Sequence, residues 1–372
     1  MNPYAPPASF DTSPSGDGNG RIDVGIDIGS SKICVAVGER KRNGSLNILG
    51  VAMVPSRGVE KGSIVDMALA GECLHAALEA AEDKAEVVIK KIYLAVAGVS
   101  IFSSNHSVGI DLPEKRKSVT ERDRKEIAER SREMIIPDQN VFLHRLLQTY
   151  RIDGGANVTN PVGLQGRRLE ADFHIVQGAE TALRNLIKCA SQQGLDVEDV
   201  VFGPLAAGCA LLNEDQKRQG VLLIDLGAGT TDYVLYRDGV VHQSGVLAIG
   251  GNQISRDISI CCDIPFAEAE RLKMESGMVE RQKLDEIIHA RMRETLEILK
   301  RKLDAELRLN NLGAGIIQTG GGSLLAGVGQ LTEEIFGMAV TLNGNPAIYG
   351  FEEEYQNPRY ASALGLLRWI QR

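Results

Sequence analysis

Two aspartates occupy similar places in the two halves of the sequence, each between an apolar strand pattern and a turn of small residues. Asp27 begins the segment DIGSSK (27–32), and Asp225 begins the segment DLGAGTTD (225–232). Backbone N–H groups in such turns can bind phosphate oxygens, and a carboxylate at a strand end can hold a hydrated divalent cation. The repeated pattern predicts two halves that face one nucleotide.

A third turn of small residues strengthens this interpretation. The strand pattern at 315–318 leads into TGGGS (319–323), which precedes a helix pattern instead of a second strand. One glycine turn is weak evidence of a ligand, because glycines also make ordinary hairpins. Three turns in this order favour a nucleotide with its phosphates between the first two and its adenine against bare backbone at the third.

The elements around the first turn predict a β-hairpin. Apolar residues alternate through Ile22–Ile28, and after the turn they alternate again through Ile33–Val37. The glycine loop of a P-loop or Rossmann protein opens a helix instead, so neither fold is favoured. The second half repeats this layout and adds a tight turn at Asp238-Gly239.

The pattern changes within the first half. From Ile101 a polar segment leads to a charged helix that starts near Thr120, with Asp123 three residues later as a capping partner. Strand patterns follow at 141–150 and 169–176. We therefore expect an inserted subdomain at 100–178.

Bulk properties exclude some functions. A formal net charge of −8 repels a nucleic-acid backbone, so we expect no nucleic-acid partner. Residues 1–20 have neither a basic start nor an apolar run and predict a disordered leader, not a signal peptide. The cysteines lack paired zinc-ligand spacing, which fits a reduced cytoplasmic protein.

The sequence resembles the actin, DnaK-chaperone and sugar-kinase superfamily of ATPases, and within it the bacterial cell-division family FtsA. Besides the three turns, the resemblance rests on these segments: PSRGV (55–59), GSIVD (62–66), PVGL (161–164) with Gly166 and Arg168, GPLA (203–206), GGN (250–252) and YASALG (360–365). It implies an α/β fold of duplicated actin-like (ribonuclease H-like) halves around a nucleotide cleft, with an FtsA-type inserted subdomain.

The resemblance also implies a division of the chain. After the leader at 1–20, the expected units are a first actin-like domain (1A) at 21–99 and 179–219, an inserted SHS2-like subdomain (1C) at 100–178, a second actin-like domain (2A) at 220–254 and 311–372, and a small, shortened fourth subdomain (2B) at 255–310.

Site roles follow from the same resemblance. Asp27 and Asp225 are the candidate catalytic residues and would hold Mg²⁺ through water. The residues expected to bind ATP are Gly29, Ser30, Ser31 and Lys32 in the first turn, Gly227, Ala228, Gly229, Thr230 and Thr231 in the second, and Gly320, Gly321 and Gly322 in the third. For Asp232, a ligand role and a turn-capping role both remain open.

Three departures from the family pattern affect the expected ATP hydrolysis, membrane contact and partner binding. Related chaperones carry a water-positioning carboxylate where this chain has Gly203, so we expect ATP binding with slow or absent hydrolysis. The chain stops at Arg372, without the usual linker and amphipathic membrane helix, which predicts membrane contact through partners. The stretch between 274 and 284 is shorter than usual, which puts binding of the FtsZ tail by the fourth subdomain in doubt.

The leading hypothesis is an actin-like ATP-binding protein of the cytoplasm that acts at the division site, on the inner membrane face. It would self-associate into filaments and link the FtsZ ring, through the FtsZ C-terminal tail, to other divisome proteins. Two alternatives remain: a scaffold like the pilus-assembly ATPases, and a sugar-kinase-type enzyme of the same fold.

Overall fold

The structure is a computed structural model, and it describes residues 20–113, 118–275, 281–306, 312–343 and 355–372. Residues 1–19 of the expected leader lie outside the described residues, as do residues 276–280 of the expected shortened stretch.

The described strands are β1 Arg21–Ile28, β2 Lys32–Arg40, β3 Leu46–Pro55, β4 Val59–Glu60, β5 Ser63–Ile64, β6 Lys91–Val96, β7 Ile101–Asp111, β8 Asn140–Ile152, β9 Arg168–Ala179, β10 Asp196–Phe202, β11 Val221–Leu226, β12 Thr231–Arg237, β13 Val240–Leu247, β14 Ile316–Thr319 and β15 Val340–Leu342. The described α-helices are α1 Met67–Ala85, α2 Glu121–Arg130, α3 Glu180–Ser191, α4 Gly203–Leu211, α5 Glu214–Gln219, α6 Gly251–Cys262, α7 Phe266–Met274, α8 Arg281–Glu306, α9 Val328–Phe336 and α10 Ala361–Trp369.

Two five-stranded sheets share one topology. The first has the order β10-β6-β1-β2-β3, and the second, read in the matching direction, has β15-β14-β11-β12-β13. In the first sheet β1 pairs antiparallel with β2 and parallel with β6. In the second sheet β11 pairs antiparallel with β12 and parallel with β14. This duplication confirms the predicted α/β fold with two related halves. We call each sheet with its helices the first half and the second half.

The strand register places the two aspartates at equivalent points. Asp27 lies opposite Cys34 of β2 and beside Ala95 of β6. Asp225 lies opposite Asp232 of β12 and beside Thr319 of β14. Both aspartates therefore stand near the carboxyl ends of central strands, where ligands bind in open α/β sheets.

Local sequence explains the helices that cover the first sheet. Helix α1 begins after Asp66, whose carboxylate accepts hydrogen bonds from the backbone N–H groups of Ala68 and Leu69. Residues at helical spacing form its buried face, namely Ala70, Leu74, Ala77, Leu78 and Ala81. Below them lies a continuous apolar core built on the alternating residues of β1 and β2.

The segment between β6 and β10 adds a separate three-stranded antiparallel sheet of order β7-β9-β8. We call β7, α2, β8 and β9 the inserted sheet. The predicted capping box is present at the start of α2, where the Thr120 and Asp123 side chains each accept from the other residue's backbone N–H. A local core formed by Ile127, Leu169 and Phe173 joins α2 to the sheet.

Helix α10 follows the second half in the chain but packs on the first sheet. Leu364 and Leu367 contact the β2 and β3 side, and Leu366 contacts the β6 and β10 side. The backbones are so close that a Cβ atom on Gly365 would lie 2.0 Å from the carbonyl oxygen of Ala206 in α4. The helix is thus fixed between the sheet and α4.

Within the described residues, we find no helix with the length and apolar character that crossing a membrane requires.

Candidate functional site

The first turn (27–32) and the second turn (225–231) have the same backbone geometry. The Gly29 N–H donates to the Lys32 carbonyl at 2.9 Å, and the Gly227 N–H donates to the Thr230 carbonyl at 3.0 Å. Since both turns close a hairpin over the same number of residues, Lys32 and Thr230 occupy equivalent positions.

The two turns lie against each other across a narrow cleft. A Cβ atom on Gly229 would lie 2.6 Å from Ser30 Oγ and 2.9 Å from Lys61 Cα. The cavity between the turns measures about 80 Å³. Ligand pockets usually measure roughly 300–1,000 Å³, so the halves must separate before a nucleotide fits.

Lysine 32 makes an ion pair with the aspartate of its own turn. Its Nζ donates to Asp27 Oδ2, and both side chains are about four-fifths buried. Burial, the largest single cause, would lower the pKa of Lys32, but the charge of Asp27, its hydrogen bond with Lys32 and the charge of Asp225 contribute to a combined effect that leaves the pKa raised. The lysine therefore stays protonated and neutralises Asp27.

Asp225 has less compensation. Burial, and then the charge of Asp27, raise its pKa to about 6, although Lys32 and a hydrogen bond from the Ser362 hydroxyl favour the ionised form. Two carboxylates that share a cleft repel each other, and a divalent cation relieves this repulsion. Their donor chemistry fits a hydrated cation.

Asp232, which lies opposite Asp225 in the β-ladder, is 3% exposed. The Thr230 hydroxyl donates to its Oδ2 at 2.9 Å. Burial, and then the charge of Asp225, raise the pKa of Asp232 to about 8, while Thr230 and the Gly98 N–H oppose the shift. The second turn thus brings two carboxyl groups together, and burial favours the protonated form of Asp232 at neutral pH, whereas the first turn carries its own cation.

The third turn (320–322) closes the cleft on the side of the second half. Gly320 has a φ of 81°, and a Cβ atom there would lie 2.2 Å from Asp225 Oδ1. Only glycine fits such a contact at positive φ without displacement. A second cavity of about 50 Å³ adjoins the turn, where Lys273 Nζ donates to Glu270 Oε2 at 2.7 Å and to Ser255 Oγ at 2.9 Å.

Comparison with known proteins assigns the family. A family profile described as "Cell division protein FtsA" matches residues 222–365, and one described as "SHS2 domain inserted in FTSA" matches residues 98–177. The cell division protein FtsA of Borreliella burgdorferi is 32% identical over 369 residues, which cover 92% of this chain and 89% of that protein. The FtsA of Escherichia coli K12 is 30% identical, with coverage of 94% and 90%. The chain belongs to the FtsA family.

Solved structures of lower identity share the actin-like fold of this FtsA-family chain. The PilM-PilN type IV pilus biogenesis complex aligns with a TM-score of 0.69 at 17% identity, covering 94% of this chain and 98% of the other. MreB5 of Spiroplasma citri bound to ADP aligns with a TM-score of 0.54 at 14% identity, covering 94% and 97%. At these identities the likeness concerns the fold alone.

The structure brings most of the site residues suggested by the FtsA resemblance to one cleft. The cavity of about 80 Å³ is lined by Asp27, Gly29, Ser30, Ser31, Lys32, Asp225, Gly227, Ala228, Gly229, Thr230 and Gly320. Gly321 and Gly322 line the adjoining cavity of about 50 Å³. Thr231 lines neither, because it is 1% exposed and its hydroxyl donates to the Ile249 carbonyl at 2.9 Å.

Several cleft residues were missed by the sequence reasoning. Arg359 and Ser362 reach the cleft from the end of the chain, and Glu270 and Lys273 reach the adjoining cavity from α7. Ser362 lies in the family segment 360–365, which was a usable signal. Glu270 and Lys273 are three residues apart on a charged helix, a pattern that ordinary surface helices share.

Gly203 does not line the cleft but lies behind Ser362, which does. It begins α4, and a Cβ atom there would lie 3.6 Å from Ser362 Oγ and 3.6 Å from the Val96 carbonyl. These are ordinary contact distances, so a side chain has room at this point. Glycine has no side chain at this position, where the family resemblance places a carboxylate in the related chaperones.

Proposed function

We propose that this chain is an actin-like ATP-binding cell-division protein that self-associates and links the FtsZ ring to other divisome proteins. One observation carries the ATP-binding part: two turns of the same backbone geometry face each other, one with a lysine and the other with carboxylates. Membership of the FtsA family supports the cell-division part.

In this proposal each turn meets a different part of the nucleotide. Ser30, Ser31 and Lys32 bind the phosphates from the first half, and the backbone of 227–230 binds them from the second half. Gly320 to Gly322 lie beside the adenosine, with Glu270 and Lys273 as additional candidates. Asp27 and Asp225 hold Mg²⁺ through water, and the bound cation offsets phosphate charge.

ATP acts mainly as a conformational ligand in this account. The cleft is narrower than a nucleotide, so binding selects a more open arrangement of the halves. Hydrolysis is slow or absent, because Gly203 has no side chain to position water beside the terminal phosphate. The nucleotide state then sets how readily the protein self-associates or binds partners.

The division of the chain stays a proposal as well. We assign 1A to 21–99 and 179–219, 1C to 100–178, 2A to 220–254 and 311–372, and 2B to 255–310. Helix α10, although within the 2A range, packs on the first sheet.

The proposed binding of the FtsZ tail faces one structural constraint. Three cations of α8 that could meet an acidic peptide are already bonded inside the chain. Arg291 Nε donates to Asp257 at 2.6 Å, Arg293 pairs with Glu334 at 3.0 Å, and Lys300 Nζ donates to the Ile335 carbonyl at 2.6 Å. A tail that binds this face must displace some of these partners.

A pull-down with the FtsZ C-terminal peptide tests the proposed partner, and it should be run with and without ATP and Mg²⁺. We expect capture that depends on nucleotide, and a scrambled peptide of the same composition is the control. Failure of capture in every nucleotide state would remove FtsZ from the proposal and leave ATP binding to its own test.

Location at the cytoplasmic face of the inner membrane is proposed from family membership. Centrifugation of the purified protein with liposomes distinguishes direct from indirect membrane attachment.

The two alternatives make different demands. A pilus-assembly scaffold has the support of the PilM-PilN likeness, which at 17% identity shows only the fold. A sugar kinase needs an acceptor pocket beside the terminal phosphate as well as a nucleotide site. Sugar-stimulated ADP formation at rates typical of kinases would favour that enzyme over the cell-division proposal.

A further inference from the structure

The inserted sheet contacts both halves of the protein, and the two contacts differ in kind. Its contact with the first half is mainly apolar: Ile101 and Val176 belong to a buried cluster built mostly on that half, and Leu143 and Leu146 pack against it. The same cluster extends to Val241 of β13 in the second half. The inserted sheet is therefore firmly attached to the first half.

A buried histidine completes the contact with the first half. His144 Nε2 accepts a hydrogen bond at 2.9 Å from the backbone N–H of Phe202, the residue before α4. The Trp369 ring at the end of α10 meets the imidazole edge-on, with centroids 5.2 Å apart. Burial lowers the pKa of His144 to about 3, so the ring is neutral and can accept this bond.

A second buried histidine faces the second half. His174 Nε2 lies 2.8 Å from Ser244 Oγ in β13, and its Nδ1 lies 2.6 Å from Asn105 Oδ1 in β7. Burial lowers the pKa of His174 to about 4. A neutral ring that accepts from Ser244 and donates to Asn105 satisfies both bonds.

Beside the apolar residues Val241 and Val246 of β13, further hydrogen bonds join the inserted sheet to the second half. Strand β13 is an edge strand of its sheet, and side chains of the inserted sheet donate to its backbone carbonyls. Ser103 Oγ donates to the Ser244 carbonyl, Asn105 Nδ2 donates to the His242 carbonyl at 3.1 Å, and Gln148 Nε2 donates to the Val241 and His242 carbonyls at 2.9 Å.

This polar contact is loosely packed. A cavity of about 540 Å³ lies beside it, lined from the inserted sheet by Phe102, Ser104 and Asn105, and from the second half by Gly245 and Val246. Hydrogen bonds next to such a cavity can exchange with water when the surfaces move apart, whereas an apolar core cannot open without exposing its side chains. The contact with the second half is therefore the one that can release.

We propose that the hydrogen bonds that join Ser103, Asn105, Gln148 and His174 to β13 form a latch that holds the two halves close and that loosens when nucleotide enters the cleft. The inference rests on the proposed function. It follows from two facts: the turns already touch at Gly229, and β13 belongs to the same sheet as the second turn. Separation of the halves moves β13 away from an inserted sheet that stays with the first half.

Thermodynamic linkage predicts the direction in which weakening the latch changes the affinity for ATP. If the latch opposes opening, then weakening it favours the open arrangement and tightens nucleotide binding. We expect the double variant Ser103→Ala, Gln148→Ala to bind ATP with Mg²⁺ roughly three- to tenfold more tightly than the wild type, the effect of losing net hydrogen bonds.

The matched control is Thr149→Ala. Thr149 neighbours Gln148 in β8, but its hydroxyl donates to the Tyr150 carbonyl within the inserted sheet. Calorimetry on the full chain measures the affinities, and circular dichroism checks that each variant is folded. The control should bind ATP as the wild type does.

Hydrogen exchange on the wild type gives a second readout. Saturating ATP with Mg²⁺ should speed exchange of backbone amides in 101–107 and 240–247, in contrast to the core strand β9. Equal or weaker ATP affinity in the double variant, or unchanged or slower exchange at these segments, would overturn the latch. If neither the wild type nor the double variant binds ATP, the proposed nucleotide function fails together with the latch. If both bind ATP with equal affinity, only the latch is refuted.

Discussion

The first and second turns share a backbone but differ in charge. Both close with a hydrogen bond from a glycine N–H to the carbonyl three residues later. The first turn places Lys32 beside its aspartate, whereas the second places Thr230 at the equivalent position and a second carboxylate, Asp232, on the neighbouring strand. A duplicated scaffold has thus acquired two complementary electrostatic roles.

This difference indicates which half depends on a cation. Asp27 is neutralised by a lysine of its own turn, so the first half is prepared for phosphate oxygens. Asp225 and Asp232 have raised pKa values because they are buried and close to other carboxylates. In the proposed function the second half would therefore gain most from Mg²⁺, and the comparison predicts different consequences when each turn is changed.

The largest expected effect is on the second turn. Asp225→Asn removes the carboxylate while keeping its shape, so Mg²⁺-dependent ATP affinity should fall by roughly 100-fold, the upper range for a group that holds a metal through a second shell. Calorimetry in Mg²⁺ and in EDTA measures the difference.

In EDTA the Asp225→Asn variant should bind ATP about as weakly as the wild type, since only the cation has been lost. Unchanged affinity in Mg²⁺ would contradict the assignment of Asp225 and remove the asymmetry between the turns.

A second comparison concerns the two buried histidines, one toward each half. In the unfolded chain their pKa is near 6.5, whereas in the fold it is about 3 for His144 and about 4 for His174. Below pH 6.5 the unfolded state binds more protons, so stability is fully present above that pH and is lost as the pH falls toward 4. Urea denaturation should show a loss on the order of 4 kcal/mol between pH 7 and pH 5, about 2 kcal/mol from each histidine.

Substitution of the second of these histidines sharpens that prediction. His174→Gln keeps a polar side chain at the contact with β13 but removes one titrating group, so the difference in stability between pH 7 and pH 5 should shrink. An identical pH dependence in the variant would show that His174 does not contribute.

Substitution of Lys32 in the first turn should weaken ATP binding both with and without Mg²⁺. Lys32→Met keeps the apolar stem of the side chain but removes the charge that meets the phosphates and Asp27. ATP affinity should fall by roughly tenfold, as for loss of a charged hydrogen bond, and it should fall in EDTA as well as in Mg²⁺. A loss confined to Mg²⁺ would assign Lys32 to the cation instead of the phosphates.

The smallest expected effect concerns hydrolysis. Gly203→Glu adds a carboxylate at a position where a Cβ atom meets only ordinary contacts. Phosphate release should rise by roughly three- to tenfold, less than a fully positioned base provides, because no neighbouring group was selected to orient it. Gly203→Gln is the matched control, and an equal rise in both would indicate positioning of water without proton transfer.

Local chemistry made the two turns predictable. Hairpin turns are determined by a few neighbouring residues, so equal spacing after Asp27 and Asp225 was enough to predict equivalent positions. The capping box at Thr120 and Asp123 was predictable for the same reason. Strand alternation could also have separated Thr230, which faces the cleft, from Thr231, which faces away from it.

The rest of the site depends on contacts between distant parts of the chain. Ser362 reaches Asp225 because α10 folds back onto the first sheet, and Lys273 reaches the adjoining cavity from α7. Similarly, no local sequence pattern predicts that His174 contacts Ser244. Such pairs arise from the packing of whole elements, which periodicity and turn chemistry do not specify.

The central claim is that one nucleotide is held by both turns at once. Backbone hydrogen exchange of the wild type, measured with and without saturating ATP and Mg²⁺, tests it most directly. If both turns hold the nucleotide, exchange should be slower at both 29–32 and 227–230 when ATP is present. Slower exchange at only one turn, or at neither, would contradict simultaneous binding by the two turns.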